Sequence, residues 1–166
     1  QITVDRQDLS QTAAAAGATT TATATTAVTD GNTGAFAAFT GTPVAGNSFQ
    51  IASGAAGLSA AVTYVASEGD TLDDVTSEVV TRLNVQAAKD GLDLTFSVNG
   101  SAIDLTNNTG TDTTGGAGDV LQSADATENG GTIGGQLDLL AGIDVSTTDG
   151  ANAGLVAIES LVQKSI

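Results

Sequence analysis

The chain contains no cysteine, histidine, tryptophan or methionine, one proline, and only five aromatic residues in 166 positions. Each absence removes a class of chemistry. Without cysteine there is no disulfide, no thiolate nucleophile and no cysteine-ligated zinc site. Without histidine there is no Ser-His-Asp triad and no imidazole base. Positive charge is nearly as scarce: Arg6, Arg82, Lys89 and Lys164 stand against 19 acidic residues, a net charge of −15. Phosphate backbones and anionic membrane surfaces are bound by clustered Lys and Arg, so neither a nucleic acid nor a membrane is expected as partner. No apolar run approaches the roughly 20 residues that span a bilayer. No N-terminal segment joins a basic start to an apolar middle as a signal peptide does. The chain opens at Gln1 without Met, and a fragment or processed product is expected.

What is present is mostly small. Ala (28), Thr (26) and Gly (21) make up close to half of the chain. Val, Leu, Ile, Phe and Tyr together number 39, enough for a thin core in one domain, or one domain with a small appendage.

Gln1–Ser10 alternates through Ile2 and Val4 and predicts one short strand. Residues 12–34 are low-complexity Ala/Thr, read as loop or as a weak strand near Thr21–Val28, because Thr and Ala favour opposite structures. Phe36 and Phe39 are expected to anchor the core. Alternation predicts strands at Asn47–Ala52, through Phe49 and Ile51, and at Ala60–Ala66, through Val62 and Tyr64 with Val65 on the other face. A helix is predicted over Leu72–Lys89. Thr71 suits its N-cap, Asp73 and Asp74 suit the positive end of its dipole, and Gly91 suits a left-handed stop. Leu72, Val75, Val79, Leu83 and Ala87 form its apolar stripe, and Glu78 and Arg82 are spaced i,i+4 on its surface.

Leu92–Val98 alternates strictly. A two-residue Asn99-Gly100 turn then leads into a return strand over Ser101–Thr106. The run from Asn47 to Thr106 therefore predicts strand–strand–helix–strand–strand, one helix covering one sheet. Residues 107–136, rich in Gly and Thr, read as a long surface excursion or a set of marginal strands. Leu137, Leu139, Leu140, Ile143 and Val145 predict an extended apolar segment. Ser146-Thr147-Thr148-Asp149 has capping-box spacing. It opens a terminal helix whose stripe is Ala151, Leu155, Ile158, Val162 and Ile166, widened by Leu161.

Each motif with chemical potential also has a structural reading. Gly115-Gly116-Ala117-Gly118-Asp119 is similar to a GGxGxD calcium repeat, but it occurs once and is one residue short. A mobile loop is the preferred reading. Asp73, Asp74 and Glu78 could be an acid–base cluster, but the helix dipole already accounts for the first two. Hydroxyls are plentiful, yet there is no His to activate them, and the lysines lack SxxK spacing. Asn99-Gly100-Ser101 and Asn107-Asn108-Thr109 match the N-glycosylation acceptor pattern. No catalytic, cofactor-binding or metal-binding residue is expected. The apolar stripe of the terminal helix either packs back on the sheet or belongs against a helix outside these residues.

Leu139–Ile166, LLAGIDVSTTDGANAGLVAIESLVQKSI, resembles bacterial flagellin where an extended IDVST-type stretch enters the C-terminal helical region. The residues carrying the likeness are Ile143, Asp144, Val145, Ser146, Thr147, Asp149, Gly150, Ala151, Ala153, Ile158 and Ile166. Gln1–Leu9 (QITVDRQDL) is similar to the stretch where flagellins leave their N-terminal helices, and together the two segments cover about 40 of the 166 residues. The Asn47–Thr106 unit, with its GDTLDDV helix start at Gly69–Val75, looks like insertion modules found in flagellar filament and hook-associated proteins. The resemblance implies three parts: 1–12 as the N-terminal edge of a core domain, 13–136 as a variable outer domain, and 137–166 as the start of a C-terminal helical core region. The expected fold class is α+β, a β-rich outer domain with one covering helix plus a C-terminal amphipathic helix belonging to a helical core. The implied function is structural, as a subunit of the secreted, extracellular flagellar filament used for motility, self-assembling with other flagellin subunits. The family's long terminal helices are missing from these residues, so 1–166 alone are expected to be monomeric. The competing readings are a hook–filament junction protein, an extracellular adhesin or glycan-binding module, and a small hydrolase. The missing His and Cys disfavour the last.

Overall fold

The computed structural model describes residues 10–17, 19, 21–123, 130–135 and 137–164, with only the backbone of Lys164. The predicted strand over Gln1–Ser10 and the stripe position Ile166 lie outside these residues, apart from Ser10 itself.

Helix α1 spans Leu72–Lys89, with the bounds the sequence predicts. The Thr71 hydroxyl accepts from Asp74 N at 3.2 Å, and Thr71 N donates to Asp74 Oδ2 at 2.8 Å. This reciprocal box satisfies two amides that a helix start would otherwise leave bare. At the other end Gly91 takes φ +66, a conformation that costs glycine little. Val75, Val79 and Leu83 are fully buried, and Ala87 nearly so, so the predicted stripe is the buried one. Arg82, expected on the helix surface, is partly buried and ion-paired with Asp138.

The strands form two antiparallel sheets, and the molecule is a mixed α+β fold. The first sheet has the order β1 (Thr21–Thr23), β7 (Val120–Gln122), β3 (Ser48–Ile51), β4 (Val62–Val65). The second has the order β2 (Asn32–Ala38), β6 (Ala102–Asn107), β5 (Leu94–Asn99). This corrects the expectation of one four-stranded unit under one helix. The β3–β4 and β5–β6 hairpins belong to different sheets, and each recruits strands from stretches the sequence leaves between loop and weak strand or does not assign. β2 is anchored by Phe36 at a register shift between Ala35 and Ala37. β7 sits between β1 and β3. Of the suggested weak strand near Thr21–Val28, only Thr21–Thr23 forms a strand, although Thr25 and Val28 are buried.

The larger apolar core of the described residues joins both sheets to α1. It includes Phe49 and Phe96 and the α1 stripe, with Tyr64 and Leu72 partly buried against it. Phe36 meets Phe96 edge-on, ring centres 5.4 Å apart, and Phe39 meets Phe49 at 5.3 Å. Such edge-to-face pairs add to area burial. Val65 lies on the opposite face of β4, as its alternation predicts; a Cβ on Gly131 would come within 2.7 Å of it. The side chain of Asn84 on α1 bonds both the N–H and the C=O of Phe96, at 2.8 and 2.9 Å. β5 is an edge strand, and a covered edge is closed to further strand pairing.

The β5–β6 turn is displaced by one residue from the prediction. Asn99 pairs with Ala102, so the loop residues are Gly100 and Ser101. Positive φ falls on Gly100 alone, at +61, the pattern of a type II′ turn. This register sets Phe96 opposite Leu105 and Leu94 opposite Asn107. Parity is preserved, so every side chain keeps its predicted face.

Of the two readings of residues 107–136, the marginal strand is found in the short β7, and the residues before it are bonded to the fold rather than loose. Thr113 N donates to Val28 O at 3.0 Å, Thr25 N to Gly116 O at 3.0 Å and Ala52 N to Asp119 O at 2.8 Å. Asn107, wholly buried, donates to Val28 O and Thr111 O. The predicted extended segment at 137–145 is also corrected. Asp138–Leu140 is a 3-10 turn, and Val145 is exposed. Helix α2 runs over Thr148–Lys164. No described helix is long and apolar enough to cross a membrane.

Candidate functional site

The surface that departs most from an ordinary soluble fold is the outer face of α2. Its N-cap is Thr147 rather than Ser146: the Thr147 hydroxyl accepts from Gly150 N at 3.0 Å, and its carbonyl accepts from Ala151 N at 2.9 Å. Gly150 therefore occupies the third helical position, where a capping box needs an acid, and Asp149 falls one residue short. Ser146 instead donates its backbone N–H to Asp144 Oδ1 at 2.9 Å. The hydrogen bonds Ser146 makes, from side chain and backbone, hold the Asp144 carboxyl below its ordinary range.

α2 begins beside the end of α1, where Asp149 lies against Gly91, and returns antiparallel so that Ala157 meets Val85. The residues turned inward are small. Ala153 and Ala157 are fully buried, and Gly150 and Gly154 are buried with them. Leu139, Leu140, Ile143, Val156 and Leu161 complete a second apolar cluster around Val85. The predicted stripe points the other way: Leu155 is 67 % exposed, Ile158 52 % and Val162 51 %. With Val145, at 74 %, they give the C-terminal region an apolar exterior. Of the two readings of the stripe, packing back on the sheet is not what the described residues show; the stripe is left exposed. Three-to-four spacing identifies an amphipathic helix, but the row of small residues decides which side approaches a neighbour.

An ion pair ties this region to α1. Arg82 Nη1 bonds Asp138 Oδ2, and the guanidinium carbon lies 5.7 Å from the Tyr64 ring centre. Tyr64 donates to Asp70 Oδ2 at 2.7 Å. Burial, and then this hydrogen bond, push its phenol above the ordinary range. A cleft of about 190 Å³ opens beside the pair, lined among others by Ala14, Thr63, Gln86, Lys89 and Ala141. Arg82 Nε is buried there with no hydrogen-bond partner. Sequence reasoning missed Arg82–Asp138, since 56 positions separate the partners. An isolated Asp in an otherwise apolar segment was the available signal.

The weighed motifs fall into structural roles. In the Gly115–Asp119 stretch, a Cβ on Gly115 would come within 2.6 Å of Thr25 O. Thr25 Oγ1 donates to Asp119 Oδ2 at 2.7 Å and accepts from Gly116 N at 3.0 Å. The glycines thus permit close backbone pairing with residues 25–27, correcting the mobile-loop reading. Asp74 belongs to the α1 cap, and hydrogen bonds from Thr71 hold its carboxyl below the ordinary range. The described residues contain no group of three or more His, Cys, Asp or Glu arranged to hold a metal. The two glycosylation patterns separate sharply: Asn107 is buried and hydrogen-bonded, while Asn99 is exposed at a hairpin tip. No family model, curated protein or solved structure matches this chain.

Proposed function

We propose that the chain is the surface-exposed part of a bacterial flagellin, with 13–136 as the outer domain and 137–166 leading into the helical core. One observation carries the reading: α2 turns Leu155, Ile158 and Val162 outward while its small residues face α1. An amphipathic helix with a large apolar face is stable in water only when that face is covered. In this reading the cover is the long helical region that the resemblance of Leu139–Ile166 implies. The protein is then secreted and structural, a filament subunit serving motility by self-assembly. A glycan-binding reading loses support because aromatic rings are the usual sugar-stacking surfaces. The four Phe are at most 2 % exposed, and Tyr64 packs against the core.

Antiserum raised against residues 1–166, applied to cells of the source organism and read by immunogold electron microscopy, tests the assignment. Label along the full length of flagellar filaments is the expected result. A single zone at the filament base would identify a hook–filament junction protein instead. Label on the cell body with bare filaments would favour an adhesin and overturn the proposal.

A further inference from the structure

We propose that Asn99-Gly100 is a self-modifying site, at which the Gly100 backbone nitrogen closes on the Asn99 side chain and converts it to isoaspartate and aspartate. This goes beyond the filament reading and does not rest on it. The bond that forms joins Gly100 N to Asn99 Cγ; the bond that breaks is Cγ–Nδ2. The Gly100 amide proton leaves with the amine as ammonia. Water then opens the five-membered imide at either carbonyl. Attack at the main-chain carbonyl leaves isoaspartate, and attack at Cγ leaves aspartate.

The tip of the β5–β6 hairpin supplies what this reaction needs. Asn99 closes β5 and Ala102 opens β6, so the Gly100 amide lies outside both strands. Both residues are exposed to the water that completes the reaction. Gly100 has no Cβ to obstruct approach, its φ is +61, and no other group lies within 4 Å of where a Cβ would stand. The Asn99 carboxamide is held at the turn by donation from Nδ2 to Asp104 Oδ2 at 3.0 Å. Other asparagines are placed differently. Asn84 has both amide atoms engaged by Phe96, and Asn107 is buried. Among the described residues Asn99 is the one asparagine followed by glycine.

The product changes the tip in two ways. Isoaspartate adds a methylene to the backbone at the residue that sets the Asn99–Ala102 register. A carboxylate at 99 also replaces a donor to Asp104 with a like charge.

The test incubates the whole chain in mildly alkaline buffer at physiological temperature and localises mass change by fragmentation. A urea-unfolded sample and the Gly100→Ala chain run in parallel. Conversion is expected at Asn99 in the native chain, with isoaspartate exceeding aspartate and a rate that climbs with hydroxide. Gly100→Ala should slow it several-fold. An unchanged Asn99 in the native chain, beside conversion in urea, would mean that the fold shields the site and would overturn the proposal. Aspartate without isoaspartate would overturn the ring-closure route.

Discussion

Helices α1 and α2 have 18 and 17 residues and lie antiparallel against each other, yet they bury opposite kinds of side chain. α1 turns its large apolar residues into the core, and Val75, Val79 and Leu83 have no exposed surface. α2 turns alanines and glycines inward and leaves Leu155 and Ile158 in solvent. Periodicity announces both helices equally well. It does not say which face meets the molecule, because close approach of two helix backbones favours small side chains, while filling the space above a sheet favours large ones. α1 meets both demands: Val79 and Leu83 face the sheets and Val85 faces α2. α2 meets only the first within these residues.

Truncating leucines should separate the two helices most clearly. Leu83→Ala removes a fully buried side chain and should cost about 2–5 kcal/mol. Leu155→Ala, on the exposed face, should stay within about 0.5 kcal/mol. Urea unfolding of the two chains measures both. Comparable losses would mean that Leu155 is covered in solution, and the contrast between the helices would fail.

A smaller effect probes the inward face of α2. Ala157→Leu places three extra carbons where Ala157 touches Val85 and Leu139. Overpacking of this kind costs about 1–3 kcal/mol. A leucine placed at the exposed position next but one, Glu159→Leu, should be close to neutral by the same urea measurement. A neutral Ala157→Leu would show that the helices are not in close contact.

How far the sequence discloses the fold follows from the same contrast. α1 is legible to the residue, because a strong cap, an acidic first turn, a regular stripe and a glycine stop agree. β3 to β6 are legible within one or two residues, since alternation through Phe49, Tyr64, Phe96 and Ile103 is unambiguous. β2 and β7 were hidden for a physical reason. NTGAFAA and VLQ have too few large side chains to show a period, and they become strands through partners far along the chain. The paired sheets were hidden with them. Of the candidate surface, the helix and its stripe were legible. Its orientation and the Arg82–Asp138 tie were not, because both depend on contacts between distant segments.

The helix starts offer a finer comparison. Thr71 shares a reciprocal box with Asp74, whereas Thr147 caps α2 through one bond to Gly150. Thr71→Ala should cost about 1 kcal/mol, and Thr147→Ala less, since α2 contributes less of the core. Thr71→Ser, which keeps the hydroxyl, should retain most of the stability. Equal losses at the two caps would remove this difference between the helices.

The smallest expected effect is that of acid, and its sign turns on two opposing contributions. Nineteen acidic residues against four basic ones repel one another at neutral pH, and net charge far from zero works against compactness. Asp74 and Asp144 act the other way, each held below its ordinary value by hydrogen bonds from Thr71 and Ser146 respectively. A carboxyl depressed in the folded state contributes stability that is present above its unfolded value, near 3.9, and is lost as pH falls through the folded one. Between neutrality and the isoelectric point near 4.1, both carboxylates therefore remain charged while the general repulsion declines. Melting temperature should rise slightly from pH 7 to pH 5 and turn downward only below about pH 4, where the unfolded state takes up protons first. Added salt should raise it at pH 7 and have less effect near the isoelectric point, because screening then has less repulsion to remove. Thr71→Ala should flatten part of the acid fall by releasing Asp74. Thermal unfolding followed by circular dichroism at three pH values and two salt concentrations is sufficient. A steep loss already between pH 7 and pH 5 would show that native carboxylate pairing outweighs repulsion.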